Sequence, residues 1–213
     1  MVVEAPIITF TPGLENIINT GDEFIDLLNL TLIDQVIPWY LGDHSIIYSY
    51  TANIARPGNV PVQLHTDQLS ITLLTRDMAY GMNIMFYSED ITDENGATRV
   101  YPVSHLGNVA PSNIFTVEGP HPVEGPAGTT LVFESRLWHA TGANGLSTGE
   151  RPVILLFFMR SFVRPQENAY LTLRKDVEAK LPPRQKVFLG FRTYRARHWR
   201  ARRQHARGIL CYS

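Results

Sequence analysis

Between residues 13 and 36 apolar side chains recur at helical spacing. Leu14, Ile17 and Ile18 are followed by Phe24, Leu27, Leu28 and Leu30. Asn19-Thr20-Gly21-Asp22 breaks this run into two helical pieces, with Asp22 placed to cap the second. At about Ser45 the texture changes. Residues 46–54 are β-branched and aromatic and predict a strand, closed by the turn Arg56-Pro57-Gly58-Asn59. Further strands are predicted at 62–66, 68–75, 81–89, 98–102, 113–117, 129–134 and 151–162. Turn signals separate them, notably Asp93-Glu94-Asn95-Gly96 and Gly119-Pro120. Many short strands with Gly/Pro turns predict a mainly β fold, a sandwich or barrel, rather than repeated strand–helix–strand units. Residues 167–180 predict one more helix, stopped by Pro182-Pro183. The chain shows no internal repeat and no low-complexity segment.

A length of 213 residues, 44% of them hydrophobic and 18% charged, suffices for one sizeable core in an ordinary globular protein. The predicted organisation is a single domain over residues 1–190 and a tail over 191–213. No apolar run approaches the roughly 18 residues a membrane span needs. The first residues lack the basic and apolar regions of a secretory signal. The single cysteine, Cys211, allows no intrachain disulfide, which fits a reducing compartment, and the expected location is cytoplasmic.

The net charge of -1 conceals an asymmetry: residues 191–213 hold seven arginines and no acid, leaving 12 basic against 20 acidic side chains in the rest. Such a tail could bind nucleic acid or an anionic membrane. A solvated, disordered tail is the simpler reading, because it lacks aromatic interleaving and any clear period. No nucleic-acid partner is expected.

The candidate chemistry lies in His65-Thr66-Asp67, with His139 72 residues after Asp67 and Arg151 12 beyond that. Two imidazoles and one carboxylate on a shared face leave three coordination positions open, the pattern of non-haem Fe(II) oxygenases. His65 and Asp67 are two apart, so on a strand both leave the same face. His139 follows the strand predicted at 129–134 and must fold back beside them. A His-x-Asp pair alone is a weak signal, since a strand histidine is usually just packed and hydrogen-bonded. Arg151 strengthens it by opening the longest apolar run, residues 152–159, where a buried charge is costly unless paired. A guanidinium fork suits a carboxylate.

The remaining histidines carry less. His105, in the Pro102-Val103-Ser104-His105 turn, reads as structural. It is the main rival for third ligand, although no arginine opens a strand after it. His44, His121, His198 and His205 read as solvated. Tyr48, Tyr50 and Phe86 fit a pocket wall or, more simply, the core. Trp138 either shields the metal or packs.

Three segments together resemble the phytanoyl-CoA dioxygenase (PhyH-like) family of Fe(II)/2-oxoglutarate oxygenases. They are Gln63-Leu64-His65-Thr66-Asp67-Gln68, Asn95-Gly96-Ala97-Thr98-Arg99-Val100-Tyr101-Pro102-Val103-Ser104-His105, and Leu137-Trp138-His139 through Arg151. The family typically shows N-G-x-T/L-R-x-x-P-G-S-H between its metal motifs, and Val103 stands where that glycine is usual. The resemblance covers roughly residues 45–190. It implies a double-stranded β-helix, or jelly roll, with flanking α-helices. It also implies that His65, Asp67 and His139 ligate Fe(II), and that Arg151 pairs with the distal carboxylate of 2-oxoglutarate, with the Thr141 hydroxyl beside it. Gln63 and Thr98 match residues that contact the co-substrate in fungal natural-product members, although a strand Thr or Gln is as often a local hydrogen-bonder.

The reaction so implied uses O2 to oxidise an unactivated C–H bond of a small, largely apolar metabolite, with release of succinate and CO2. Hydroxylation is the default outcome; desaturation, epoxidation and ring rearrangement stay open. Asp67 disfavours halogenation, because related halogenases lack this carboxylate. The similarity leans towards fungal secondary-metabolite oxygenases, and a homodimer is compatible with it. Members usually carry several dozen more residues before the first core strand, so the N-terminal part is expected to be shortened. Two alternatives remain: an acyl-CoA hydroxylase, for which the core offers no obvious basic cluster, and a non-catalytic jelly-roll binding protein.

Overall fold

The computed structural model describes residues 13–70, 78–107 and 120–192. The chain enters as a short strand β1 (Gly13–Leu14), a 3-10 turn at Ile17–Asn19, and helices α1 (Asp22–Leu27) and α2 (Thr31–Leu41). Next come strand β2 (Ile46–Ala55), a 3-10 turn at Asp67–Ser70 and strands β3 (Gly81–Tyr87) and β4 (Thr98–Val100). After helix α3 (Ser104–Gly107) lie β5 (His121–Pro122), β6 (Thr130–Glu134), β7 (His139–Thr141) and β8 (Arg151–Met159). Helices α4 (Ala169–Thr172), α5 (Lys175–Lys180) and α6 (Pro183–Phe188) complete the described chain.

The strands form two antiparallel sheets. The larger has the order β1-β2-β8-β3-β6 and the smaller β5-β4-β7. From β3 onward the chain passes repeatedly from one sheet to the other, in keeping with the expected jelly roll. Among the described residues no helix is long and apolar enough to cross a membrane.

Side-chain alternation gives the larger sheet two different faces. Met82, Ile84 and Phe86 of β3 and Leu156 and Phe158 of β8 join Ile17, Ile18, Ile25, Leu28, Ile33, Ile37, Val177 and Phe188 in one core under the helices. Burying each such aliphatic or aromatic side chain stabilises the fold by about 1.5–3 kcal/mol. The other face carries Asn83 and Met85 of β3 and Arg151, Val153, Leu155 and Phe157 of β8, and these line a cavity. All seven positions of β3 are buried. That results from its place between β8 and β6 with both faces covered, and it explains why its sequence does not alternate.

A bulge in β2 keeps this division intact. Ile47 pairs with Phe158, but Ser49 pairs with Phe157, so Tyr48 is the extra residue. The bulge reverses the facing of the residues beyond it. Ile47 and Tyr50 both enter the helix-side core, while Ser49, Thr51 and Asn53 face the cavity. Tyr48 itself is turned to the cavity wall and meets Phe157 edge-on at 5.2 Å between ring centroids.

Several expected elements are corrected. No strand forms at 62–66; only His65 pairs, in an isolated bridge to His139. The described part of the run 68–75 lies in the 3-10 turn, because Gln68 turns inward. Its Oε1 accepts the Tyr80 N–H at 3.1 Å and the Ser135 hydroxyl at 2.8 Å. The strand predicted at 113–117, the rest of 68–75 and the tail 193–213, with His198 and His205, lie outside the described residues. The strand predicted at 151–162 ends at Met159, where the Arg160 guanidinium bonds the carbonyls of Ala79, Tyr40 and Leu41. Asp22 is not the cap of α1 but its first residue, after Gly21. The helix predicted at 167–180 divides at Leu173 and Arg174. The helical run does stop before Pro182-Pro183, with α5 ending at Lys180, and Pro183 then opens α6, since proline's missing N–H and fixed φ suit a first helical position.

Candidate active site

His65 and His139 are held by each other's backbone. The His65 N–H donates to the His139 carbonyl and the His139 N–H to the His65 carbonyl, both at 2.9 Å. In such an antiparallel pair the two side chains leave the same face, and here the rings lie 4.4 Å apart. Each ring is fixed in the same way: Nδ1 of His65 is 2.7 Å from the Gln63 carbonyl and Nδ1 of His139 is 2.9 Å from the Leu137 carbonyl. A carbonyl only accepts, so each Nδ1 carries the proton and each Nε2 is left as a lone-pair donor. These Nε2 atoms lie 3.6 Å from the two oxygens of Asp67, His65 facing Oδ1 and His139 facing Oδ2. Burial pushes the His139 imidazole below its usual pKa, and His65 adds to this against the pull of Asp67. A neutral imidazole is the form that ligates.

One donor atom from each of His65, Asp67 and His139 lies within 4.8 Å of the other two, and among the described residues they are the one such cluster of His, Cys, Asp and Glu. His105 is not part of it; it lies in α3, and its Nδ1 is buried without a hydrogen-bond partner. Trp138 points the other way and packs with Leu64, Ala140 and Tyr101.

The cluster opens into a cavity of about 390 Å³ that Arg151 also lines. Arg151 is only 1% exposed, and its Nε and Nη2 have no hydrogen-bond partner. Desolvation lowers its pKa to about 10, against a small opposing effect of Tyr87. A buried cation with two unsatisfied donors is costly, and an anionic ligand in the cavity removes that cost. A dicarboxylate has one end for the metal and one for Arg151. The residues present therefore fit both groups.

Thr98 and Thr141 are cross-strand partners on β4 and β7 and both line the cavity. The Thr98 hydroxyl donates to the Met85 sulfur at 3.4 Å. The crossing is tight. A Cβ on Gly142 would lie 2.7 Å from the Ala97 carbonyl oxygen, and Gly96 has φ 95° against Gly142, so glycine is required at both. Gln63 is placed differently. Its side chain is exposed and outside the described lining, and its contribution to the site is its carbonyl, which orients His65. Tyr48 lines the cavity, whereas Tyr50 and Phe86 belong to the core under the helices.

Sequence reasoning missed Asn83, Asn53 and Gln166, which also line the cavity. Asn83 donates to Asp67 Oδ2 at 2.5 Å. The available signals were one amide in an apolar strand and the period-2 polar series Ser49, Thr51, Asn53.

Comparison with known proteins shows what the chain resembles. The phytanoyl-CoA dioxygenase (PhyH) profile matches residues 22–153. Dioxygenase af480 of Aspergillus fumigatus is 30% identical over 166 residues, covering 76% of this chain and 53% of that protein. Dioxygenase aneA of Aspergillus aculeatus is 29% identical over 184 residues, covering 83% of this chain and 59% of that protein. The chain thus spans just over half the length of these two relatives. The crystal structure of apo HygX from Streptomyces hygroscopicus superposes with a TM-score of 0.61 at 15% identity, covering 74% of this chain and 75% of that one, a likeness of fold.

Proposed function

The chain belongs to the phytanoyl-CoA dioxygenase family, and from that premise we propose that it is an Fe(II)/2-oxoglutarate-dependent dioxygenase oxidising an unactivated C–H bond of a small, neutral, largely apolar metabolite. The observation that carries the reading is the pairing, in one cavity, of a His65–Asp67–His139 donor set with a buried, unsatisfied Arg151.

Each residue then has a distinct task. His65 and His139 offer Nε2 to the metal because their Nδ1–H groups are held by carbonyls. Asp67 supplies the third donor and balances charge. Arg151 receives the distal carboxylate of 2-oxoglutarate, Thr141 stands on the facing sheet to donate its hydroxyl, and Thr98 beside it would exchange its bond to the Met85 sulfur for one to the co-substrate. Met85, Val153, Leu155 and Phe157 cover the cavity floor and exclude water. Fe(II), 2-oxoglutarate and O2, when bound, supply the oxidation, with succinate and CO2 as co-products.

The described lining carries no acidic, basic or imidazole side chain besides His65, Asp67, His139 and Arg151. All four are committed to metal and co-substrate, which supports a neutral substrate and leaves nothing for the phosphates of an acyl-CoA. A place in secondary-metabolite biosynthesis rests on the resemblance to fungal members. The test is an anaerobic titration with Fe(II) and then 2-oxoglutarate. A visible charge-transfer band that is lost in Arg151→Ala is expected. No band from folded wild-type protein would overturn the reading and favour a non-catalytic jelly roll.

A further inference from the structure

Asn83 is a polar residue, 3% exposed, in the middle of β3, whose other six positions are Gly81, Met82, Ile84, Met85, Phe86 and Tyr87. Its cross-strand neighbours are Phe133 of β6 and Phe157 of β8, so its surroundings in the sheet are aromatic. A buried amide in such a place is expensive unless its hydrogen bonds are made. Its Nδ2 donates to Oδ2 of Asp67 at 2.5 Å, across the interval between the sheet and the turn that carries Asp67.

We propose that Asn83 is a positioning residue for the metal centre: it occupies Oδ2 of Asp67 and thereby presents Oδ1 as the single carboxylate oxygen that ligates. The assignment rests on the metal-centre reading above. An unrestrained carboxylate beside a cation can bind through one oxygen or both, and binding through both consumes a second coordination position. A short bond from a neutral amide on a central, doubly covered strand fixes the carboxylate without adding charge. The same bond joins the Asp67 turn to β3, so the carboxylate is set relative to the larger sheet while His65 and His139 are set by each other. The donor set is then built from two separately anchored parts, the His65–His139 backbone pair and the Asp67–Asn83 bond.

The test uses Co(II), which reports coordination through its visible bands without needing a substrate. In Asn83→Leu, similar in size but without the N–H, Co(II) is expected to bind about 10–100-fold more weakly, the usual effect of losing a partner behind a ligand. Its absorption envelope is expected to change as Oδ2 becomes free to bind. A purely structural role would lower the melting temperature of the metal-free protein and leave the spectrum of the loaded fraction unchanged. If Asn83→Leu fails to fold, Asn83→Ser, too short to reach Oδ2, carries the same expectation. Wild-type affinity and spectrum in a folded variant would overturn the assignment. A wild-type chain that binds no Co(II) would overturn the metal-centre reading itself, and the role of Asn83 with it.

Discussion

His65 and His139 lie 74 positions apart in sequence and form a two-hydrogen-bond backbone pair, with N–H to carbonyl distances of 2.9 Å in both directions. The side chains of the site are thus held by main-chain bonds that survive substitution of either imidazole.

This separates metal binding from folding. His139→Ala is expected to lose Fe(II) affinity by more than the about 10–100-fold typical of losing an outer partner. Its stability should fall by only about 1–2 kcal/mol, because the backbone pairing remains. Anaerobic Fe(II) titration beside thermal melting checks both. Unchanged metal affinity would show the ligand assignment to be wrong.

Arg151 should show an exchange of stability for function. Its guanidinium is buried with Nε and Nη2 unpaired. Arg151→Met should therefore stabilise the ligand-free protein, by about 1–4 kcal/mol on the precedent of buried charges replaced by apolar groups. The same variant should lose the stabilisation that 2-oxoglutarate gives the metal-loaded wild type, about 2.7 kcal/mol at a hundredfold excess over Kd. Melting curves with and without 2-oxoglutarate decide it; a variant still stabilised by 2-oxoglutarate would exclude Arg151 as the anchor.

Glu167 gives a pH dependence. Its Oε1 accepts the Tyr50 N–H at 3.0 Å and the Asn16 N–H at 3.4 Å, yet burial raises its pKa above the ordinary carboxylate value. A carboxyl whose folded pKa is raised binds its proton more tightly in the folded state. Its protonation therefore favours folding as pH falls through the folded value, and that contribution is lost as pH rises. Glu167→Gln, which keeps an acceptor oxygen, should be more stable than wild type at neutral pH and less so in acid. Denaturant unfolding between weakly acidic and neutral pH reads the narrowing of this difference as pH falls, and parallel profiles would refute it.

Val103 adopts φ 67°, a left-handed backbone that suits glycine and disfavours a β-branched side chain. The turn matters because Ser104 beside it accepts the Trp138 N–H at 3.0 Å, one residue before His139. Val103→Gly should relieve about 1–2 kcal/mol of strain and lose about 0.4–1 kcal/mol to the freer unfolded chain. A net gain of about 0.5–1 kcal/mol is expected in denaturant unfolding. A loss would mean that the turn is relaxed with valine.

Much of the protein was legible in its sequence. Periodicity marked β2, β3, β6 and β8 to within a few residues, because alternation and β-branching are local properties of the chain. The residue types His65, Asp67, His139 and Arg151 pointed to the proposed chemistry, and the structure brings all four to one cavity. The segment carrying His65 was misread as a strand. Its one bridge to His139 depends on a partner remote in sequence, and the inward turn of Gln68 depends on Ser135 and Tyr80. The facing of β2 was equally hidden, because the bulge at Tyr48 reverses the parity that a period-2 reading assumes. Asn83 looked like one polar residue in an apolar strand, and only the approach of the Asp67 turn gave it a role. Composition and spacing determined which side chains could do the chemistry. Tertiary structure decided which oxygen, which ring nitrogen and which strand face meet, because those contacts are made by backbone bonds and bulges between segments that sequence order keeps apart.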